Sequence, residues 1–167
     1  MRRVRAAVLV LSALWAAGAR AGGAVELEGP VLTDMRARLF ETKSAQLSDD
    51  LLAPGYKGSW NATTGPHASN ATLVVVEISG PPGGSFTGAL GPGTKYVVSL
   101  KARELARTPR VLLDASDVVP VFGDDGKAYV AFLIRPNGCA PVQLVARLKG
   151  AKPGKPLERS LDFACGE

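Results

Sequence analysis

The chain has 167 residues, 46% of them apolar and 21% charged, which excludes a disordered or low-complexity polymer and leaves room for an ordinary core. Lys and Arg outnumber Asp and Glu by 20 to 15, a formal charge of +5. Four of those cations (Arg2, Arg3, Arg5 and Arg20) fall in the first 21 residues, which hold no acid, so the remainder carries sixteen against fifteen, or +1. The basicity is therefore confined to the N-terminus, and no nucleic-acid partner is expected.

Arg2, Arg3 and Arg5 form a basic head, Ala6 to Ala17 an apolar run, and Ala19-Arg20-Ala21 a small-x-small cleavage pattern. Together these predict a secretory signal peptide over 1–21, cleaved after Ala21, and hence a secreted or periplasmic protein. The apolar run is shorter than the roughly 20 residues a membrane span needs. No span is expected after cleavage. Residues 22–30 read as a flexible, glycine-rich lead, and 31–167 as one domain.

Val31 to Phe40 alternates Met35, Ala37 and Leu39 against Asp34, Arg36 and Arg38, the pattern of a half-buried strand. Residues 41–71 then lose periodicity and read as a long irregular loop, with one helical turn over Gln46–Ala53 capped by Ser48. Thr72 to Ser79 is the longest β-branched run. Val74, Val76 and Ile78 lie on one side, Leu73 and Val75 on the other, which predicts a central strand covered on both faces. A Gly/Pro-rich stretch follows, with a short edge strand expected near Phe86.

Further strands are expected at Tyr96–Arg103, Val111–Asp114 and Val118–Phe122, then a tight turn at Gly123–Gly126. Ala128 to Ile134, apolar on both sides, reads as a second central strand. Val142–Lys149 and Leu157–Phe163 alternate as a hairpin in which Val142 faces Phe163 or Leu161. Either register brings Cys139 within one or two residues of facing Cys165, and an exported chain with two cysteines favours their disulfide. Eight or nine short strands and almost no helix predict an all-β, single antiparallel β-sandwich of immunoglobulin-like or Greek-key type, with a closed β-barrel as the alternative.

Chemistry-bearing motifs are absent from the pattern. Gly88–Lys95 ends Thr-Lys where a phosphate loop requires Lys-Ser/Thr, and a strand follows where a helix is needed. His67 is the single histidine, too few soft ligands for zinc or copper, and no Gly-x-Ser-x-Gly elbow accompanies it. Asp114, Asp117, Asp124 and Asp125 lack calcium-loop spacing and read as turn residues. No catalytic residue, metal ligand or cofactor is expected. The function read from this is an exported, non-catalytic binding or structural module. A small secreted hydrolase using an unpatterned carboxylate pair is the alternative.

Tyr56 and Trp60, two aromatics in the 41–71 loop, are the candidate contacts for a protein or carbohydrate partner, with a plug over the open end of the sandwich as their other role. Asn61-Ala62-Thr63 and Asn70-Ala71-Thr72 are glycosylation sequons, at Asn61 and Asn70, with meaning only in a eukaryotic pathway.

Overall fold

Alternating apolar and polar side chains give eight strands in the computed structural model, which describes residues 29–56, 67–80, 96–135, 140–150 and 154–162. They are β1 (Val31–Glu41), β2 (Gln46–Leu47), β3 (Ser69–Ser79), β4 (Val97–Glu104), β5 (Arg110–Val118), β6 (Lys127–Ile134), β7 (Val142–Lys149) and β8 (Leu157–Leu161). Every pairing is antiparallel, in two four-stranded sheets ordered β2-β1-β3-β6 and β5-β4-β7-β8. The sheets pack face to face on one core, so the domain is a β-sandwich and not a closed barrel.

β3 lies between β1 and β6, as its sequence predicts. Its inward residues Val74, Val76 and Ile78 are fully buried, and Val76 sits opposite Met35 on one side and Val130 on the other. The second sheet answers with Val98, Leu100 and Ala102 on β4, opposite Leu148, Ala146 and Leu144 on β7. Each such burial stabilises the fold by roughly 1.5–3 kcal/mol. In the β7–β8 hairpin Val142 faces Leu161, one of the two expected registers. Cys139, Cys165 and Phe163 lie outside the described residues, as do 1–28 and the strand expected near Phe86.

Several expectations need correction. β6 is an edge strand among the described residues, not a central one. Its outward residues Tyr129 and Leu133 are exposed, because an apolar run can equally arise from a strand with one face in the core and the other left open. For the same reason the outer face of β3 is only half-covered at Leu73 and Val75. The strands expected at Val111–Asp114 and Val118–Phe122 are one strand, β5, followed by an irregular segment through Phe122. Polar Ser116 and Asp117 continue the ladder because β5 is an edge, where their side chains meet water.

The 41–71 segment is not irregular throughout, since β2 pairs with the end of β1 and β3 begins at Ser69. No helical turn forms over Gln46–Ala53. The Ser48 hydroxyl instead accepts the Leu39 N–H at 2.9 Å, and the Asp50 carboxylate accepts those of Ala37 at 2.9 Å and Leu52 at 3.1 Å. Two side chains thus continue the hydrogen bonding that backbone would supply at this sheet edge. Leu51, whose N–H donates to the Ala37 carbonyl at 2.7 Å, enters the core.

Gly80 ends β3 where the ring of Phe122 folds over it. Its N–H donates to the Gly126 carbonyl at 2.8 Å, and Gly126 closes the Gly123–Gly126 turn with φ +72°. A Cβ on Gly80 would stand 2.7 Å from both Cε1 and Cζ of Phe122. Gly80→Ala should therefore lower stability by about 1–3 kcal/mol, the usual range for overpacking. In a Phe122→Leu background the same change should cost less, a coupling that thermal melts of the four proteins would read. Equal costs in both backgrounds would place the strain elsewhere.

Candidate acidic cleft at the β1–β3 end

Glu41, the last residue of β1, is brought beside His67 by the β1–β3 ladder, whose final pair is Glu41 with Ser69. The Thr42 N–H and hydroxyl both donate to the Ala68 carbonyl, at 2.9 and 3.0 Å, which pins this junction. His67 Nδ1 lies 3.0 Å from Glu41 Oε1, and the Ser44 hydroxyl donates to Oε2 at 2.9 Å. These contacts, His67 first and Ser44 second, hold the Glu41 carboxyl below its ordinary range.

Asp49 reaches the same place by a different route. Ser48 and Asp50 both turn toward β1, so the residue between them turns away from it, and Asp49 is exposed. Two turn hydrogen bonds, Ala53 N–H to Asp50 and Tyr56 N–H to Ala53, each 3.1 Å, then fold Tyr56 back. Leu39, Glu41, Ser48, Asp49, Tyr56 and His67 line a cleft of about 180 Å³. Tyr56 also packs against the core cluster. Burial, with help from Asp49 and Glu41, pushes its hydroxyl above its ordinary value.

The cleft offers hydrogen-bond acceptors on two carboxylates, an aromatic ring and an imidazole. Among the described residues no group of three or more His, Cys, Asp or Glu could hold a metal ion. Asp114 pairs with Lys101 at 3.5 Å, and Asp117 and Asp125 accept nearby backbone N–H groups, which are surface and turn roles. Trp60 and Asn61 lie outside the described residues, and Asn70 is exposed at the start of β3. Sequence reading found Tyr56 but missed Glu41, Asp49 and the partner of His67. Glu41 and His67 are 26 residues apart, and only the β1–β3 pairing joins them.

A second polar cluster lies on the outer face of the first sheet. Glu77, only 7% exposed, has Oε1 3.0 Å from Lys127 Nζ and 3.1 Å from the Thr33 hydroxyl, while Oε2 lies 3.6 Å from Arg36 Nη2. The Lys127 hydrogen bond, with smaller help from Thr33 and Arg36, holds this carboxyl below its ordinary 4.5, against the opposing effect of burial. A depressed carboxyl stabilises the fold fully above its unfolded value and loses that contribution as pH falls through the folded one. Urea denaturation should therefore show stability declining on acidification below about pH 4.5. Glu77→Gln should lower stability at neutral pH and flatten that decline. An unchanged acid limb would exclude Glu77 as its source.

No helix among the described residues is long and apolar enough to cross a membrane. No protein-family model matches the chain, and no curated protein matches its sequence.

Proposed function

We propose that the protein is an exported, non-catalytic binding module whose 41–71 segment presents the acidic cleft to a saccharide. One observation carries this reading: Tyr56 and two carboxylates, Glu41 and Asp49, converge on one open pocket. Sugar hydroxyls donate well to carboxylates, and a sugar's C–H face stacks on an aromatic ring. The N-terminal basic head, apolar run and Ala19-Arg20-Ala21 support export. Export in turn supports a Cys139–Cys165 disulfide. The two-sheet architecture, with β3–β6 and β4–β7 pairing across intervening strands, supports an immunoglobulin-like or Greek-key reading of the sandwich.

Asp49→Asn is the discriminating variant, because the Asp49 side chain is exposed and, among the described residues, none of the turn's hydrogen bonds uses its carboxylate. Calorimetric titration with a panel of neutral and amino oligosaccharides should show binding that Asp49→Asn weakens at least tenfold, about 1.4 kcal/mol. Its thermal melt should stay within about 0.5 kcal/mol of the parent, as surface changes do. Tyr56→Ala should lose both binding and stability, since that ring does both jobs. No binding by any member of the panel would remove the saccharide reading.

The carboxylate pair also favours a second reading, a glycoside hydrolase. The general acid of such an enzyme is a carboxyl kept protonated out of water. Here Asp49 is exposed and Glu41 is held in its charged form by His67 and Ser44. Chromatography of the oligosaccharides after incubation separates the two readings, since only a hydrolase shortens them.

A further inference from the structure

The two outer faces of the sandwich are built differently. On the second sheet the central strands β4 and β7 turn Lys101, Arg103 and Arg147 to solvent. On the first sheet the central strand β3 turns out Leu73 and Val75, with Ala131 and Leu133 of β6 beside them. Tyr129 and Leu133 are 47% and 43% exposed, and Leu47 of β2 is 45% exposed. Arg36 and Arg38 of β1 stand opposite Val75 and Leu73 on the other flank. Between Arg36 and Arg38 on β1 and Tyr129 on β6, the outward side of β3 floors a trough of about 190 Å³.

Its two ends differ in charge. At the Glu77 end every cation is matched, Arg36 by Asp34 at 3.2 Å and by Glu77, and Lys127 by Glu77. At the Leu73 end Arg38 has a carbonyl partner, Ser48 O at 3.4 Å, and among the described residues no carboxylate lies within ion-pair distance of it. Among the described residues that line it, the trough is therefore an apolar floor on which the Arg38 guanidinium alone of the cations has no carboxylate.

We propose that this trough docks an extended segment of a partner protein that carries an Asp or Glu between apolar residues. The carboxylate meets Arg38, and the apolar side chains two residues to either side of it, on the same face of the segment, lie on Leu73 and Val75 against Tyr129. An extended segment repeats its side chains every two residues, about 6.6 Å, the same spacing that separates Leu73 from Val75 on the strand beneath. Among the described residues lining the trough Arg38 is the one unmatched cation, too little positive charge for an anionic membrane surface, which wants a cluster of four or more. A second copy of this chain would bring a face whose carboxylates, Asp34 and Glu77, are already taken.

The probe is the terminally blocked pentapeptide Leu-Ser-Asp-Ser-Leu, which puts Asp and both Leu on one face when extended, titrated into the protein and followed by amide NMR shifts. Saturable shifts are expected at Leu73, Val75 and Ala131, with binding at least tenfold weaker for the same peptide with Asn in place of Asp. Arg38→Gln and Leu73→Lys should each weaken binding at least tenfold, while Lys101→Gln on the opposite face and Asp49→Asn in the cleft leave it unchanged. Circular dichroism melts of the variants confirm that they fold. The proposal is overturned by absence of saturable shifts, by equal binding of the Asn peptide, by indifference to Arg38→Gln, or by shifts that centre on the Asp49 cleft. Sedimentation showing self-association that Leu73→Lys abolishes would also overturn it, by assigning the face to a second copy.

Discussion

Replacing Ile78 by Ala is expected to cost about 3–4 kcal/mol of stability. The same change at Leu73, five residues earlier on β3, is expected to cost about 1 kcal/mol, because much less apolar area is lost from burial there. Ile78 is fully buried, flanked by Leu32 on β1 and Ala128 on β6, so truncation leaves a cavity that two rigid neighbours cannot close. Leu73 faces outward and is only half-buried. A domain of this size has about 5–15 kcal/mol of stability in total. The Ile78 variant should therefore melt on the order of 10 °C lower, at about 2–4 °C per kcal/mol. Similar losses at the two positions would mean that the outer face of β3 is as covered as the inner one, and that the open trough does not exist.

That pair of residues also shows where sequence and structure part. Period-two alternation in β1, β4 and β7 located both the strands and their buried faces, because each of those strands puts charge on its outer side, as Arg36, Lys101 and Arg147 do. β3 and β6 are apolar on both sides, and alternation cannot then say which side is open. Reading two apolar sides as two covered sides misplaced β6 at the centre of a sheet. The exposed Tyr129 and Leu133 are what that inference concealed.

The cleft was half-legible for a related reason. Tyr56 stands out locally as an aromatic among turn residues. Glu41 and His67 acquire meaning only through a ladder between strands with a long connection between them, a non-local fact that composition and spacing do not encode. The helical turn expected over Gln46–Ala53 failed because Ser48 and Asp50 have two competing uses. Both residue types cap helices, and both also hydrogen-bond an exposed strand edge. Here the free N–H groups of Leu39 and Ala37 are in reach, and the edge wins.

For the proposed Cys139–Cys165 bridge, removing either cysteine is expected to cost about 3 kcal/mol, the loop entropy released when a bridge over roughly 26 residues is lost. The β7–β8 register motivates this. Val142 faces Leu161, so Cys139 comes three residues before the last described pair and Cys165 four residues after it, at the same open end of the hairpin. A difference of one residue is within what two segments leaving a ladder can accommodate, and the alternative register, Val142 with Phe163, would have given the same offset in the opposite sense. The energetic signature is non-additivity. If the two sulfurs are bonded, Cys139→Ser, Cys165→Ser and the double variant all lose the one bridge, and all three should show nearly the same stability in urea. Adding a reductant to the parent should bring it to that level too. If the thiols are independent, the single losses should instead sum in the double variant, and reductant should change nothing. Mass spectrometry of the native protein after alkylation without reduction gives the direct answer, and two alkylated cysteines there would refute the bridge.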